Sequence, residues 1–231
     1  MDTTALGENG PASRRRFLQA VGLGGALSAL PFVARPASAQ SSTTTEAGSE
    51  TSASATPVTT TTAPPQRPTD NDEALLGFAQ SIELSATGAY EVVLDRADEL
   101  SLPADVYPVI EVFREHHKAY AQSVSGLLGR AAPNTSNPTV DAEFGAPFAT
   151  GSLEDVLTAA IALEETAVAT HLTLLDQLQG TDGAALIASI LVTEARHATV
   201  LSALNGDDAL MPESGLEPVD AALTPDDYPV E

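Results

Sequence analysis

Three glutamates and two neighbouring histidines stand on helical faces that are otherwise apolar. Glu83 is seven residues from Leu76, four from Ala79, three from Ala86 and seven from Tyr90, which puts it on their face at helical spacing. Glu164 shares a face with Leu157, Ala160, Ala167 and Val168 in the same way. Glu194 and His197, three residues apart, project in adjacent turns from a stripe of Ile187, Ile190, Leu191, Ala198 and Leu201. A fourth stripe, Phe113, Tyr120, Val124 and Leu127, is straddled by His116 and His117. His117 is favoured as the inward one because it also aligns with Ile110 and Val124, seven residues to either side.

Burying an unpaired carboxylate is very costly. Three helices that each turn a Glu inward need a shared positive partner, and one dication can offset several carboxylates. Carboxylate oxygen with imidazole nitrogen suits iron, manganese or zinc rather than copper(I). The candidate metal ligands are therefore Glu83, His117, Glu164, Glu194 and His197, with His116 as the alternative to His117. His171 lies seven residues after Glu164, about 10 Å along a helix axis. It is expected to be a core histidine bonded to a neighbour rather than a ligand. Glu165 sits nearer the edge of the face than Glu164, and Tyr90 and Tyr120 read as core residues whose hydroxyls reach polar partners. The rival reading is a metal-free bundle, a binding or stress-protection module of the cell envelope, in which the inward Glu and His side chains pair with Arg114 and Arg196.

Positioning these residues requires four helices. Apolar spacing of three and four predicts the first over about residues 72–100, stopping before Pro103. The second is expected over about 104–128, ended by Gly129, and a Pro-, Asn- and Gly-rich loop of about 130–151 follows, long enough to cross a bundle. The third opens on Ser152 as N-cap with Asp155 three residues on, a variant capping box, and runs to about Gln179. The fourth begins after Thr181 and stops at Gly206. No useful strand-like alternation appears, so the fold class is all-α, a four-helix bundle.

Residues 72–206 resemble the ferritin-like superfamily. In its di-iron members two helices each give a Glu and the other two each give a Glu-x-x-His. Glu83 matches the lone Glu of the first helix, Glu164 that of the third, and Glu194-Ala195-Arg196-His197 the Glu-x-x-His of the fourth. The second helix departs: Arg114 stands three residues before His117, and Phe113 three before His116. A single-metal site and an altered pair both stay open. The closer likeness is to exported bacterial ferritin-like domain proteins. The resemblance implies iron or manganese, one or two ions, cycling between divalent and trivalent states with oxygen or peroxide.

The front of the chain reads as an address. Ser13-Arg14-Arg15-Arg16-Phe17-Leu18-Gln19 resembles the twin-arginine export signal, with Gln19 in place of the usual Lys. An apolar stretch from Phe17 to Ala34 and the small-residue site Ala37-Ser38-Ala39 complete it, so residues 1–39 are expected to be a cleaved signal peptide. Export to the cell envelope or the extracellular space follows, with no stable membrane insertion after cleavage. Residues 40–71, rich in Ser, Thr and Pro, are expected to form a disordered linker, and residues 207–231 an acidic tail. The expected layout is thus a four-helix bundle that resembles the ferritin-like fold, preceded by a signal peptide and a disordered linker.

Composition narrows the chemistry further. The 231 residues carry 10 Lys+Arg against 32 Asp+Glu, a formal charge of -22, which argues against nucleic acid and anionic membrane surfaces as partners. The absence of Cys excludes disulfides, zinc–thiolate sites, iron–sulfur clusters and a thiol nucleophile. No glycine-rich phosphate loop, G-x-S-x-G elbow or H-E-x-x-H stretch appears. The metal ion is the expected partner; a homodimer stays open, while a long arm and an acidic tail argue against a closed cage.

Overall fold

A computed structural model describes residues 63–206 and 221–230. The expected signal peptide, most of the expected linker and residues 207–220 of the tail lie outside the described residues. Within them all regular structure is helical: α1 (Asp70–Asp95), α2 (Tyr107–Leu128), a 3-10 turn (Gly129–Ala131), α3 (Pro138–Thr150), α4 (Leu153–Gln177) and α5 (Thr181–Asn205). α1 pairs chiefly with α2 and α4 chiefly with α5, and α3 packs across α1 and α4. The four long helices form the bundle.

Local chemistry sets the helix ends. Thr69 and Ser152 each close a capping box, with Asp72 and Asp155 at the third helical position reaching back to the cap. α5 ends on Gly206, whose φ of 93° is a left-handed conformation that glycine adopts without a Cβ penalty. α1 stops at Asp95, short of the expected Leu100. The Arg96 N–H bonds back to the Val92 and Leu94 carbonyls, and the chain then turns through Ser101 at φ 51°. α2 starts at Tyr107 rather than Ala104, with Pro108 in its first turn, where a missing N–H costs nothing.

Two further expectations are corrected. The segment 130–151 is not simply a loop, because it holds α3. The Asn137 side chain accepts from the Thr139 and Val140 N–H groups, Pro138 takes the first helical position, and Val140 and Phe148 are buried. The last residues of the expected disordered linker are also placed. The Pro65 and Gln66 carbonyls accept from the Thr181 and Asp182 N–H groups, which the first turn of α5 leaves without an intrahelical partner. The buried Asp72 carboxylate accepts from the Gln179 and Gly180 N–H groups and joins the same corner. A Cβ at Gly180 would lie 2.7 Å from the Arg67 carbonyl oxygen, so the close approach needs glycine.

The tail also returns to the bundle. The Leu223 N–H donates to Thr170 Oγ1, the Asn137 amide donates to the Tyr228 carbonyl, and the Tyr228 hydroxyl donates to Glu143. Asn137 therefore caps α3 and fastens the tail at once.

The apolar core has two halves. One gathers Tyr90, Val93, Phe113, Phe148, Leu157 and Leu201; the other Leu76, Phe78, Ile82, Val124, Leu174 and Ile187. In α1 the break between them falls at Glu83, in α2 at His117, in α4 at Glu164 and in α5 at Glu194 and His197. The polar residues thus make one layer across the bundle.

Replacing Asn137 by Ala removes the α3 cap and the tail's fastening. The stability is expected to fall by about 1–3 kcal/mol, seen as a lower denaturant midpoint; an unchanged midpoint would show that neither bond contributes.

Candidate metal centre

All five residues singled out by spacing lie in this layer and are buried, and His171 joins them. They form two groups. One donor atom each from His117, Glu164 and His197 lies within 4.8 Å of the others, and the same holds for Glu83, His171 and Glu194. The groups draw on α1, α2, α4 and α5, so the site exists only when all four long helices are assembled.

Hydrogen bonds link them in two runs, joined by a 3.5 Å ion-pair contact between His171 and Glu83. His117 places Nδ1 2.8 Å from Glu83 Oε2 and Nε2 3.0 Å from Glu164 Oε1. His197 Nδ1 lies 3.3 Å from Glu164 Oε2. His171 Nδ1 lies 2.7 Å from Glu194 Oε2, while its Nε2 faces Glu83 Oε1 at 3.5 Å. The Tyr90 hydroxyl donates to Glu164 Oε1. Rings brace the layer: Tyr90 stacks on His117 at 5.5 Å and Phe113 on His197 at 4.0 Å between centroids.

His116 takes a different place from His117. It is half-buried, and its Nδ1 lies 2.9 Å from His197 Nε2, on the side of that ring away from Glu164. It can fix the orientation of His197 from outside the layer. Glu164 rather than Glu165 is the fully buried one of the pair.

His171 is a buried core histidine bonded to a neighbour, as expected, and it also stands in a group that could hold a metal. Its distance along α4 from Glu164 does keep it out of the Glu164 group, but Glu83 and Glu194 come to it from α1 and α5. Measuring along one helix missed a contact made across three. The available signal was a histidine aligned with Ala167 and Leu174 on the inward stripe that already carried Glu164. The arginine partners of the metal-free reading are elsewhere: Arg114 pairs with Glu115 at 2.5 Å, and Arg196 is exposed.

Burial and neighbouring charge set the proton affinities. Burial alone would push the His117 imidazole down, but the Glu164 and Glu83 carboxylates outweigh it and hold it well above its ordinary value. Burial would raise Glu164, yet His117 and His197 hold it below the usual carboxylate range. Glu83 goes the other way. Burial, reinforced by the charge of Glu194, pushes it up to about 7 against the pull of His117. Burial opposes a charge on His171, and Glu194 and Glu83 overcome that to raise it. His116 is pushed down to about 4 by burial and by the neighbouring His197 and His117.

A metal fits this donor set on an observation of the structure itself. Glu83 Oε1, His171 Nε2 and Glu194 Oε1 are buried side-chain atoms with no hydrogen-bond partner. Such atoms cost free energy wherever nothing replaces their lost water. All three belong to one of the two groups, whose residues can each bring a ligand atom within 4.8 Å of the others, and two of them, His171 Nε2 and Glu83 Oε1, face each other at 3.5 Å, where a cation could serve both.

Comparison with known proteins agrees with the geometry. The family model described as ferritin-like domain matches residues 71–207, more than half of the chain. The chain belongs to the ferritin-like domain family. Neither the curated proteins nor the solved structures yield a match. Within this ferritin-like chain the buried His/Glu groups could hold metal, and Arg114 and His171 mark where its polar layer differs from the paired Glu-x-x-His pattern.

The proton affinities make a directional prediction for the metal-free protein. His117 and His171 are raised above 6.5, so the stability they contribute is full below that value and is lost as pH rises through their folded values. Glu83, raised from 4.5 to about 7, acts in the same sense. Glu164 and His116, both lowered, lose their contribution as pH falls instead. The melting temperature is expected to peak in the mildly acidic range and to decline on both sides; a steady rise through neutral to alkaline pH would contradict these assignments.

Proposed function

We propose that this ferritin-like protein binds iron or manganese, as one or two ions, in the polar layer of its bundle. The observation that carries this reading is that Glu83, His171 and Glu194, brought together from α1, α4 and α5, each keep a buried atom (Oε1, Nε2 and Oε1) without a hydrogen-bond partner. Hydrogen bonding inside the protein leaves them unsatisfied, and a first-row dication suits their mixture of carboxylate and imidazole. Glu83, His117, Glu164, Glu194 and His197 hold the metal in this reading, together with His171. Bound iron or manganese supplies a divalent–trivalent couple that can react with oxygen or peroxide.

The protein's own residues supply the setting. Tyr90 and His117 orient Glu164, Glu194 orients His171, and the apolar halves above and below keep water from the layer. Export by the twin-arginine route belongs to the same reading. That route carries folded proteins, so a cation can be taken up in the cytoplasm before export. It rests on the Ser13–Gln19 run and the Ala37-Ser38-Ala39 site.

Metal and protons compete for the same atoms. Uptake is expected to weaken as pH falls below neutral, because Glu83, His117 and His171 then hold their protons. Glu194→Ala removes a ligand and the partner of His171. It is expected to abolish metal uptake while leaving the helical circular dichroism signal in place. Elemental analysis of protein purified from its natural export route, with the melting temperature before and after chelation, decides between this reading and the metal-free module. Equal metal in mutant and wild type, or no metal and no shift on chelation, would reject it.

A further inference from the structure

We infer that the two groups load in a fixed order: the Glu83–His171–Glu194 group takes the first cation and the His117–Glu164–His197 group the second. This rests on the metal-binding reading above and adds to it a primary seat whose nitrogen comes from His171, outside the Glu194-x-x-His197 motif.

The two groups differ in what a cation must displace. In the first, every member is hydrogen-bonded at one atom and makes no hydrogen bond at another, where His171 Nε2 and Glu83 Oε1 only face each other at 3.5 Å. His171 Nδ1 lies 2.7 Å from Glu194 Oε2, and Glu83 Oε2 lies 2.8 Å from His117 Nδ1. These contacts leave His171 Nε2, Glu194 Oε1 and Glu83 Oε1 without hydrogen-bond partners, and the three residues can each bring a ligand atom within 4.8 Å of the others. With Nδ1–H donated to Glu194 Oε2, the His171 ring presents Nε2 as its coordinating nitrogen once the proton favoured there by Glu83 is displaced. A carboxylate behind a ligating imidazole fixes its tautomer and raises its basicity. A cation arriving here breaks no hydrogen bond at these three atoms, replaces only the 3.5 Å contact of His171 Nε2 with Glu83 Oε1, and removes the cost of their unsatisfied burial.

The second group is occupied by its own contacts. Glu164 Oε1 receives the Tyr90 hydroxyl and lies 3.0 Å from His117 Nε2, while Oε2 lies 3.3 Å from His197 Nδ1. His117 is engaged at both nitrogens, since its Nδ1 is on Glu83. A cation between His117, Glu164 and His197 must separate both imidazoles from Glu164. The groups offer three donors each and are all but fully buried, so this difference in prior engagement sets the order.

The test is a titration of the metal-free, full-length protein with manganese(II), read by the loss of the free-ion electron paramagnetic resonance signal. Iron(II) under anaerobic conditions serves as a second probe. Wild type is expected to bind in two steps about tenfold or more apart in Kd. His171→Gln and His171→Leu are expected to lose the tighter step. His197→Gln is expected to keep it and lose the weaker one. Circular dichroism confirms that each variant is folded, and His171→Gln keeps a polar group where His171→Leu leaves a hydrophobic one. Loss of the tighter step in His197→Gln with its retention in both His171 variants would overturn the order. Equal weakening of both steps in every variant would overturn the division into two seats. Failure of wild type to bind either ion would instead sink the metal-binding reading itself.

Discussion

A carboxylate buried in a helical bundle needs compensation, and this bundle buries three in one layer. Each meets an imidazole: Glu83 and Glu164 meet His117, Glu164 meets His197, and Glu194 meets His171. The rest of the structure depends on that alternation of acid and base. It breaks the apolar core into two halves at one level in all four long helices, and it fixes their relative height, because a shift of any helix by one turn would part a carboxylate from its imidazole. Buried ionic pairs contribute little net stability because their desolvation cost is large. Their value here lies in register and in the donors they present.

Compensation is also incomplete. Glu164 is fully engaged, but Glu83, Glu194 and His171 each keep an atom with no hydrogen-bond partner. The elevated proton affinities of Glu83 and His171 express the same shortfall, since a proton is the simplest positive charge that can enter. The incompleteness is confined to one side of the layer, and it is there that a cation has most to offset.

The ends of the helices serve the layer from a distance. The corner where Pro65 and Gln66 meet the start of α5, with Asp72 tied to Gln179 and Gly180, links the beginning of the domain to the α4–α5 turn. Asn137 ties the start of α3 to the returning tail. Both junctions work by satisfying backbone groups that helix ends leave open. They explain why segments that read as linker, loop and tail are ordered where they touch the bundle.

The long helices were legible in the sequence because apolar periodicity, the Ser152–Asp155 capping box and the Gly206 stop are local properties. The inward direction of Glu83, Glu164, Glu194 and His197 followed from the same periodicity. α3 escaped because its apolar content is spread through a short stretch holding two prolines, although Asn137-Pro138 was a readable helix start. What only the tertiary structure decided is the partnership. Spacing along α4 separates His171 from Glu164, and nothing in that spacing says that α1 and α5 bring Glu83 and Glu194 to it. Periodicity assigns a side chain to a face; which side chains meet there depends on the height and rotation of neighbouring helices, and those come from packing.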